Sequence, residues 1–405
     1  MISVAEAAGR IVAALAPLAP EQVAVSEGLG RVLAADAASR RTQPPMAVSA
    51  MDGYAVRAAD VAAIPAELRL VGYAQAGGSY DGTVGPGEAV RIFTGAPVPA
   101  GADTIVIQEN TEAAGERVRV VDGAAPVGRF VRKAGLDFAE GQVLLPAGRV
   151  MTARDVGLAA AMNLPWLKVR RRPRIAILAT GDEIVMPGEP IGPNQIVSSN
   201  ALALAAFVTA AGGVPIDLGI APDSAEALKT MAAGARGADM LITTGGASVG
   251  DHDLVRHVLG DVGLEIDFWK IAMRPGKPLM FGRIGDVPML GLPGNPVSSQ
   301  VCAALFLWPA MRAMLGADTR ETRFVRARLG RKLGENDERE DYLRATLEHR
   351  PDGSLVATPF DAQDSSMFAT MARADALVVR EPFAPPAAAG DEVTVLPLSG
   401  AIVSV

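Results

Sequence analysis

Five short loops and one further acid hold the residues whose types and spacing could do chemistry. Ala179-Thr180-Gly181-Asp182-Glu183 follows the apolar run Ile175–Leu178. Gly181 permits a tight turn, Thr180 offers a hydroxyl and an amide, and two acids follow; helix capping explains such residues as well as ligand binding does. Thr243-Thr244-Gly245-Gly246-Ala247-Ser248-Val249-Gly250-Asp251-His252-Asp253 follows Met240–Ile242. Gly245, Gly246 and Gly250 let backbone N–H groups approach a ligand, and Thr244 and Ser248 add hydroxyls, which suits phosphate or another oxyanion. The lysine of a P-loop and the spacing of a dinucleotide fingerprint are both missing, so those two readings are rejected. A plain strand-to-helix turn is the structural alternative.

Met273-Arg274-Pro275-Gly276-Lys277-Pro278, with Lys270 just before it, is a stiff positive loop able to meet an anion on an otherwise acidic chain. Gly291-Leu292-Pro293-Gly294-Asn295-Pro296 opens the next helix, with Asn295 placed as cap and Pro296 in its first turn. In Ser49-Ala50-Met51-Asp52-Gly53-Tyr54-Ala55-Val56, Asp52-Gly53 reads by itself as a turn. Asp223 reads as the cap of a helix with Glu226 at its third position.

The elements that must position these loops change texture along the chain. Residues 1–42 and 139–169 are Ala-rich and read as an elongated helical and linker region, with Val4, Ala7, Ile11 and Leu15 on one helix face. Residues 43–138 are rich in Gly and Pro with short β-branched runs such as Ala89–Phe93 and Thr104–Ile107, a β-rich insert. Residues 170–318 alternate apolar runs at Ile175–Leu178, Pro215–Ile220, Met240–Thr243 and Pro288–Leu290 with helical stretches at 199–211, 224–236 and 296–315. That alternation predicts a parallel sheet with helices on both faces, whose ligands bind at the carboxyl ends of the strands. Residues 319–405 read as strands at Arg323–Leu329, Tyr342–Leu347, Leu355–Thr358 and Glu392–Leu396, a small C-terminal β-barrel or sandwich. The fold class is therefore multidomain α/β plus β.

Composition narrows the function. The chain has 405 residues, 49% hydrophobic and 20% charged, with a formal net charge of -7. General disorder is excluded, and a generic binder of nucleic acid or anionic membrane is disfavoured for want of a basic surface. The lone Cys302 leaves no intrachain disulfide and no multi-cysteine metal centre. No run is long enough to cross a membrane, and Glu6 and Arg10 ahead of Ile11–Leu15 argue against a signal peptide, so the expected compartment is the cytoplasm.

Taken together, SAMDGYAV (49–56), IFTGAPVPAGADTIV (92–106), TGDE (180–183), TTGGASVGDHD (243–253), FWKIAMRPGKP (268–278) and GLPGNPVSS (291–299) resemble, in order and spacing, the molybdopterin molybdenumtransferases, the family of the MoeA-type proteins and the gephyrin E-domain. The resemblance implies a homodimer with a helical segment, a β-rich insert, an α/β molybdopterin-binding domain and a C-terminal barrel. It implies insertion of molybdenum from molybdate into adenylylated molybdopterin with release of AMP, helped by Mg²⁺. Each site would combine one subunit's α/β domain with the other's 49–56 loop. Transient contacts with the preceding adenylyltransferase and with molybdoenzymes are also implied.

Carried over by motif, the catalytic residues fall on Asp52, Thr94, Glu183, Asp223, Asp253, Lys270 and Arg274, and metal ligands on Asp52, Glu183 and Asp253. Substrate contacts fall on Thr180, Gly181, Asp182, Thr244, Gly245, Gly246, Ser248, Gly250, Pro275, Gly276, Lys277, Pro278, Gly294, Asn295, Pro296, Arg344 and Ser365. Arg274 stands where many members have Lys, which suits anion binding better than proton donation. Asp364 stands where some members carry Gly. Two other readings compete: a non-catalytic scaffold that binds molybdopterin or a peptide with the same dimer, and a different enzyme sharing only the α/β domain. The second would leave SAMDGYAV and the barrel unexplained.

Overall fold

The computed structural model describes residues 1–123, 125–245, 258, 260, 263–317 and 323–398. The chain forms two compact units, one of Met1–Ala35, Pro146–Val156 and Trp166–Val405, the other of Asp36–Leu145 and Gly157–Pro165.

The first unit begins with helix α1 (Val4–Ala13), where the Ser3 hydroxyl accepts from Glu6 N at 3.1 Å and Val4, Ala7 and Ile11 are buried. The Ala-rich stretches are less helical than their composition suggests. Pro20–Ala24 is instead a strand paired antiparallel with Trp166–Arg170, and the second stretch supplies a helix only at Ala153–Ala161. Alanine favours helix intrinsically, but Pro17 and Pro20 remove backbone donors and tertiary pairing takes over.

The second unit is built on a sheet of β1 (Gly53–Val56), β2 (Ala66–Ala74), β3 (Glu88–Ile92), β4 (Thr104–Ile107), β5 (Thr111–Ala114) and β6 (Arg117–Val120). Its order is β4-β1-β3-β2-β6-β5, with only β2 and β3 parallel. Successive residues point to opposite faces, so Tyr54 and Val56 enter one core and Ala55 the other. Gly53 is required where β1 crosses β4, because a Cβ there would lie 2.0 Å from Val106 O.

The α/β part of the first unit contains β7 (Arg174–Thr180), α2 (Asn200–Ala210), β8 (Val214–Ala221), α3 (Ala225–Ala232), β9 (Met240–Thr244), β10 (Leu264–Trp269), β11 (Met280–Ile284), β12 (Val287–Leu292) and α4 (Pro296–Cys302). After α4 come a π-helical stretch at Ala303–Leu307 and α5 (Trp308–Met314). The sheet order is β8-β7-β9-β12-β11-β10. The expected parallel sheet is present in β8, β7, β9 and β12, but β11 and β10 extend it antiparallel. Ile175 and Ile177 pack with α2 and α4, whereas Ala176 and Leu178 pack with α3. Burial on both faces is what makes these strands continuous apolar runs.

The last part is a barrel of β13 (Val325–Leu329), β14 (Glu340–His349), β15 (Leu355–Pro359), β16 (Ala376–Arg380) and β17 (Glu392–Pro397). The order β14-β15-β13-β17-β16 closes by pairing β16 with β14. Among the described residues no helix is long and apolar enough to cross a membrane.

Candidate functional site

A cavity of about 670 Å³ lies at the carboxyl ends of the parallel strands. Glu183 from the β7 exit, Thr244 and Gly245 from the β9 exit, Pro278, and Gly294, Asn295 and Pro296 ahead of α4 all line it. The barrel adds Ser366 and Phe368. Gly246, Ser248, Gly250 and Asp253 lie outside the described residues.

Glycine lets two walls meet. Gly245 has φ +92°, and a Cβ there would lie 2.4 Å from Thr180 O. Thr180 is buried and its hydroxyl has no hydrogen-bond partner among the described residues. A Cβ on Gly294 would lie 3.4 Å from Gly245 Cα, so the β9 and β12 loops touch backbone to backbone.

Gly181 and Asp182 turn instead to a neighbouring groove with Ile184 and Pro222. There Asp182 Oδ1 accepts from Asp223 N at 2.9 Å. The capping expectation for Asp223 is corrected: Ser224 is the cap of α3, its hydroxyl accepting from Ala227 N at 3.2 Å. The shorter serine side chain reaches the N3 amide from the adjacent position, so the exposed Asp223 carboxylate does not cap the helix. Asn295 occupies the cap position of α4 without a side-chain capping bond; its Nδ2 donates to Ser365 Oγ at 2.9 Å.

The positive loop divides its charges. Lys270 has φ +70°, unusual for a residue with a side chain, and its Nζ lies 3.7 Å from the Trp269 ring centroid. Arg274 does not stand free to meet an anion. Its Nε donates to Asp341 Oδ1 at 2.8 Å, Nη2 pairs with Asp341 Oδ2, and Nη1 reaches Asp337 Oδ2 at 3.0 Å. The bond to Asp341 raises the Arg274 pKa. Asp337 falls to about 2, chiefly through Arg339 and with help from Arg274. Lys277 makes no ion pair among the described residues. Pro275 is half-buried and Gly276, at φ +118°, packs where a Cβ would lie 2.6 Å from Cys302 Sγ.

Arg344 is fully buried rather than exposed to the cavity. Its Nε donates to Gln363 Oε1 at 3.1 Å and its Nη1 to Asp364 O at 2.8 Å, and burial lowers its pKa. It thereby holds the loop carrying Ser365 and Ser366. Asp364 in turn accepts from Ser366 N at 2.8 Å, and the Ser366 hydroxyl lowers its pKa.

In the second unit the structure brings Asp52 and Thr94 together: Thr94 N and Oγ1 each donate to Asp52 Oδ1 at 2.7 Å. The amide bond, then the hydroxyl bond, hold the Asp52 carboxyl below its usual value, and the charge of Arg91 adds to this. Arg91 lies between the Tyr54 and Phe93 rings, at 5.0 and 5.1 Å, and its Nη1 donates to Gly53 O at 3.2 Å. Gln108 N donates to Asp52 O at 3.1 Å.

Sequence reasoning missed Ser198, Ser199 and Asn200, which line the cavity at the start of α2, and the apolar wall of Ile184, Ile196 and Val197. The signal was a Ser-Ser-Asn run ahead of a readable helix. Among the described residues no three acid, His or Cys side chains converge as a metal-ligand cluster.

The chain is similar to known proteins along most of its length. Residues 2–163 match the MoeA N-terminal region (domain I and II), 176–313 a probable molybdopterin binding domain and 326–398 the MoeA C-terminal region (domain IV). A molybdopterin molybdenumtransferase of Nostoc sp. is 41% identical, over 80% of this chain and 76% of that protein. One from Haemophilus influenzae is 31% identical over 95% of each. A crystal structure of the molybdopterin biosynthesis MoeA protein of Pyrococcus horikoshii aligns with a TM-score of 0.85 at 31% identity, covering 99% of this chain and 100% of that one. With all three regions matched in order, the chain belongs to the molybdopterin molybdenumtransferase (MoeA) family, the enzymes of molybdenum cofactor biosynthesis.

Proposed function

We propose that this chain transfers molybdenum from molybdate into adenylylated molybdopterin and releases AMP. The observation that supports this most is the strand-end cavity, whose lining combines backbone loops and hydroxyls with the apolar Ile184, Ile196 and Val197. Such a site suits a ligand with a planar ring at one end and phosphates at the other. In this reading Thr244, Gly245 and the α4 start take the ligand's polar groups. Lys270 and Lys277 supply charge for molybdate or phosphate oxygens. Arg274 keeps its loop against the barrel, and Arg344 keeps the Ser365 loop beside Asn295.

Mg²⁺ is expected from the resemblance. It is commonly held by one or two carboxylates together with substrate phosphates, so a full protein cage is not needed. Glu183 at the cavity is the described carboxylate that fits, with Asp253 and Asp52 as further candidates. When bound, the ion would offset charge on the phosphate oxygens. We also place the chain in a cytoplasmic homodimer in which the Asp52–Thr94 loop of one subunit completes the other's cavity, and in transient contact with the preceding adenylyltransferase and with recipient molybdoenzymes.

The test is AMP release from adenylylated molybdopterin by purified protein with Mg²⁺, with and without molybdate. Molybdate-dependent release supports the reading. Tight binding with no release under either condition would count against it.

A further inference from the structure

We propose that Asn200 is a specificity residue of the cavity, reading an amino group on the ligand's planar ring. The proposal rests on the assignment of this cavity to the substrate. Asn200 opens α2 and lines the cavity. Its Nδ2 donates to Gly294 O at 2.7 Å and to Thr244 Oγ1 at 3.0 Å.

A backbone carbonyl can only accept, so the amide nitrogen must be the pole that faces Gly294. Both Nδ2 hydrogens are then engaged across two loops. Oδ1 is left as the acceptor, and it has no hydrogen-bond partner among the described residues. The side chain is consequently locked in one orientation and cannot rotate to offer a donor. A ligand group that meets Oδ1 must bring an N–H or O–H. Ile184, Ile196 and Val197, which line the same cavity, suit the flat face of a ring rather than a phosphate. An amino-substituted heterocycle satisfies both, its exocyclic N–H meeting Oδ1 where the oxo analogue would set a carbonyl against it. The substrate carries two, its pterin and its adenine.

The experiment titrates full-length protein with four probes: pterin, its 2-oxo analogue lumazine, AMP, and its 6-oxo analogue IMP. Each pair differs in the presence of the amino group. Wild type is expected to prefer the amino member of one pair on the order of tenfold, and Asn200→Ala to bind both members of that pair equally. Lost discrimination in the pterin pair assigns Asn200 to the pterin; in the AMP pair, to the adenine. Asn200→Ser, which keeps a hydroxyl too short to span the two loops, gives the same reading if the alanine variant does not fold. Weaker binding with discrimination intact would make Asn200 only a clasp between loops and overturn the proposal while sparing the cavity assignment. No binding of any probe by wild type would overturn both.

Discussion

Asp52 illustrates what two donors do to one carboxylate. Thr94 gives both its amide and its hydroxyl to Oδ1, so the charged form is favoured and Oδ2 accepts no hydrogen bond among the described residues. Thr94→Val removes one of those bonds and should raise the Asp52 pKa toward its ordinary value, as followed by ¹³C NMR of the labelled carboxyl. Asp52→Ala should abolish AMP release with little change in melting temperature, since a loop acid contributes little burial; a large fall would make it structural. Asp337, held at about 2 by Arg339 and Arg274, has a wider consequence. A carboxyl lowered on folding contributes stability above its unfolded pKa, near 4, and that contribution is lost as pH falls toward 2. Asp337→Asn should therefore flatten the stability profile between about pH 4 and pH 2 in urea unfolding.

At the scale of elements, the strand ends depend on backbone that only glycine adopts comfortably. Gly245→Ala should cost about 1–2 kcal/mol for the left-handed conformation alone. The Thr180 O contact at 2.4 Å adds to it. The expected result is a lower melting temperature and weaker ligand binding together. Arg344 acts through a loop. Arg344→Leu removes the guanidinium donors to Gln363 Oε1 and Asp364 O, which keep only the amides of residue 344 and Met367, and should lower stability by about 0.5–1.5 kcal/mol. Faster hydrogen exchange confined to residues 363–366 is the accompanying signature.

For the whole molecule the proposal of shared sites has a direct test. Asp52→Ala and Glu183→Gln proteins, each inactive alone, should regain activity when unfolded and refolded together. Random pairing predicts about a quarter of the wild-type rate, because half the dimers are mixed and each mixed dimer has one intact site. No recovery would place both acids in one subunit's site or remove one of them from the chemistry.

The parallel strands, the helices between them and the loops at their carboxyl ends were legible because continuous apolar runs and Gly-rich exits follow directly from burial on both faces. The same periodicity marked α1, and its Ala-rich neighbours misled because composition carries no record of where Pro20–Ala24 will pair. Asp223 could not be separated from Ser224 as a cap by spacing, since only the folded backbone decides which side chain reaches the Ala227 amide. Nor could sequence tell that Arg274 faces Asp341, 67 positions away, or that Asn200 bridges Thr244 and Gly294, 44 and 94 positions away. Residue type and local spacing determined which groups were available for chemistry. Tertiary structure decided which of them are already satisfied by a partner and which are left to meet a ligand, because hydrogen-bond partners are set by proximity in space.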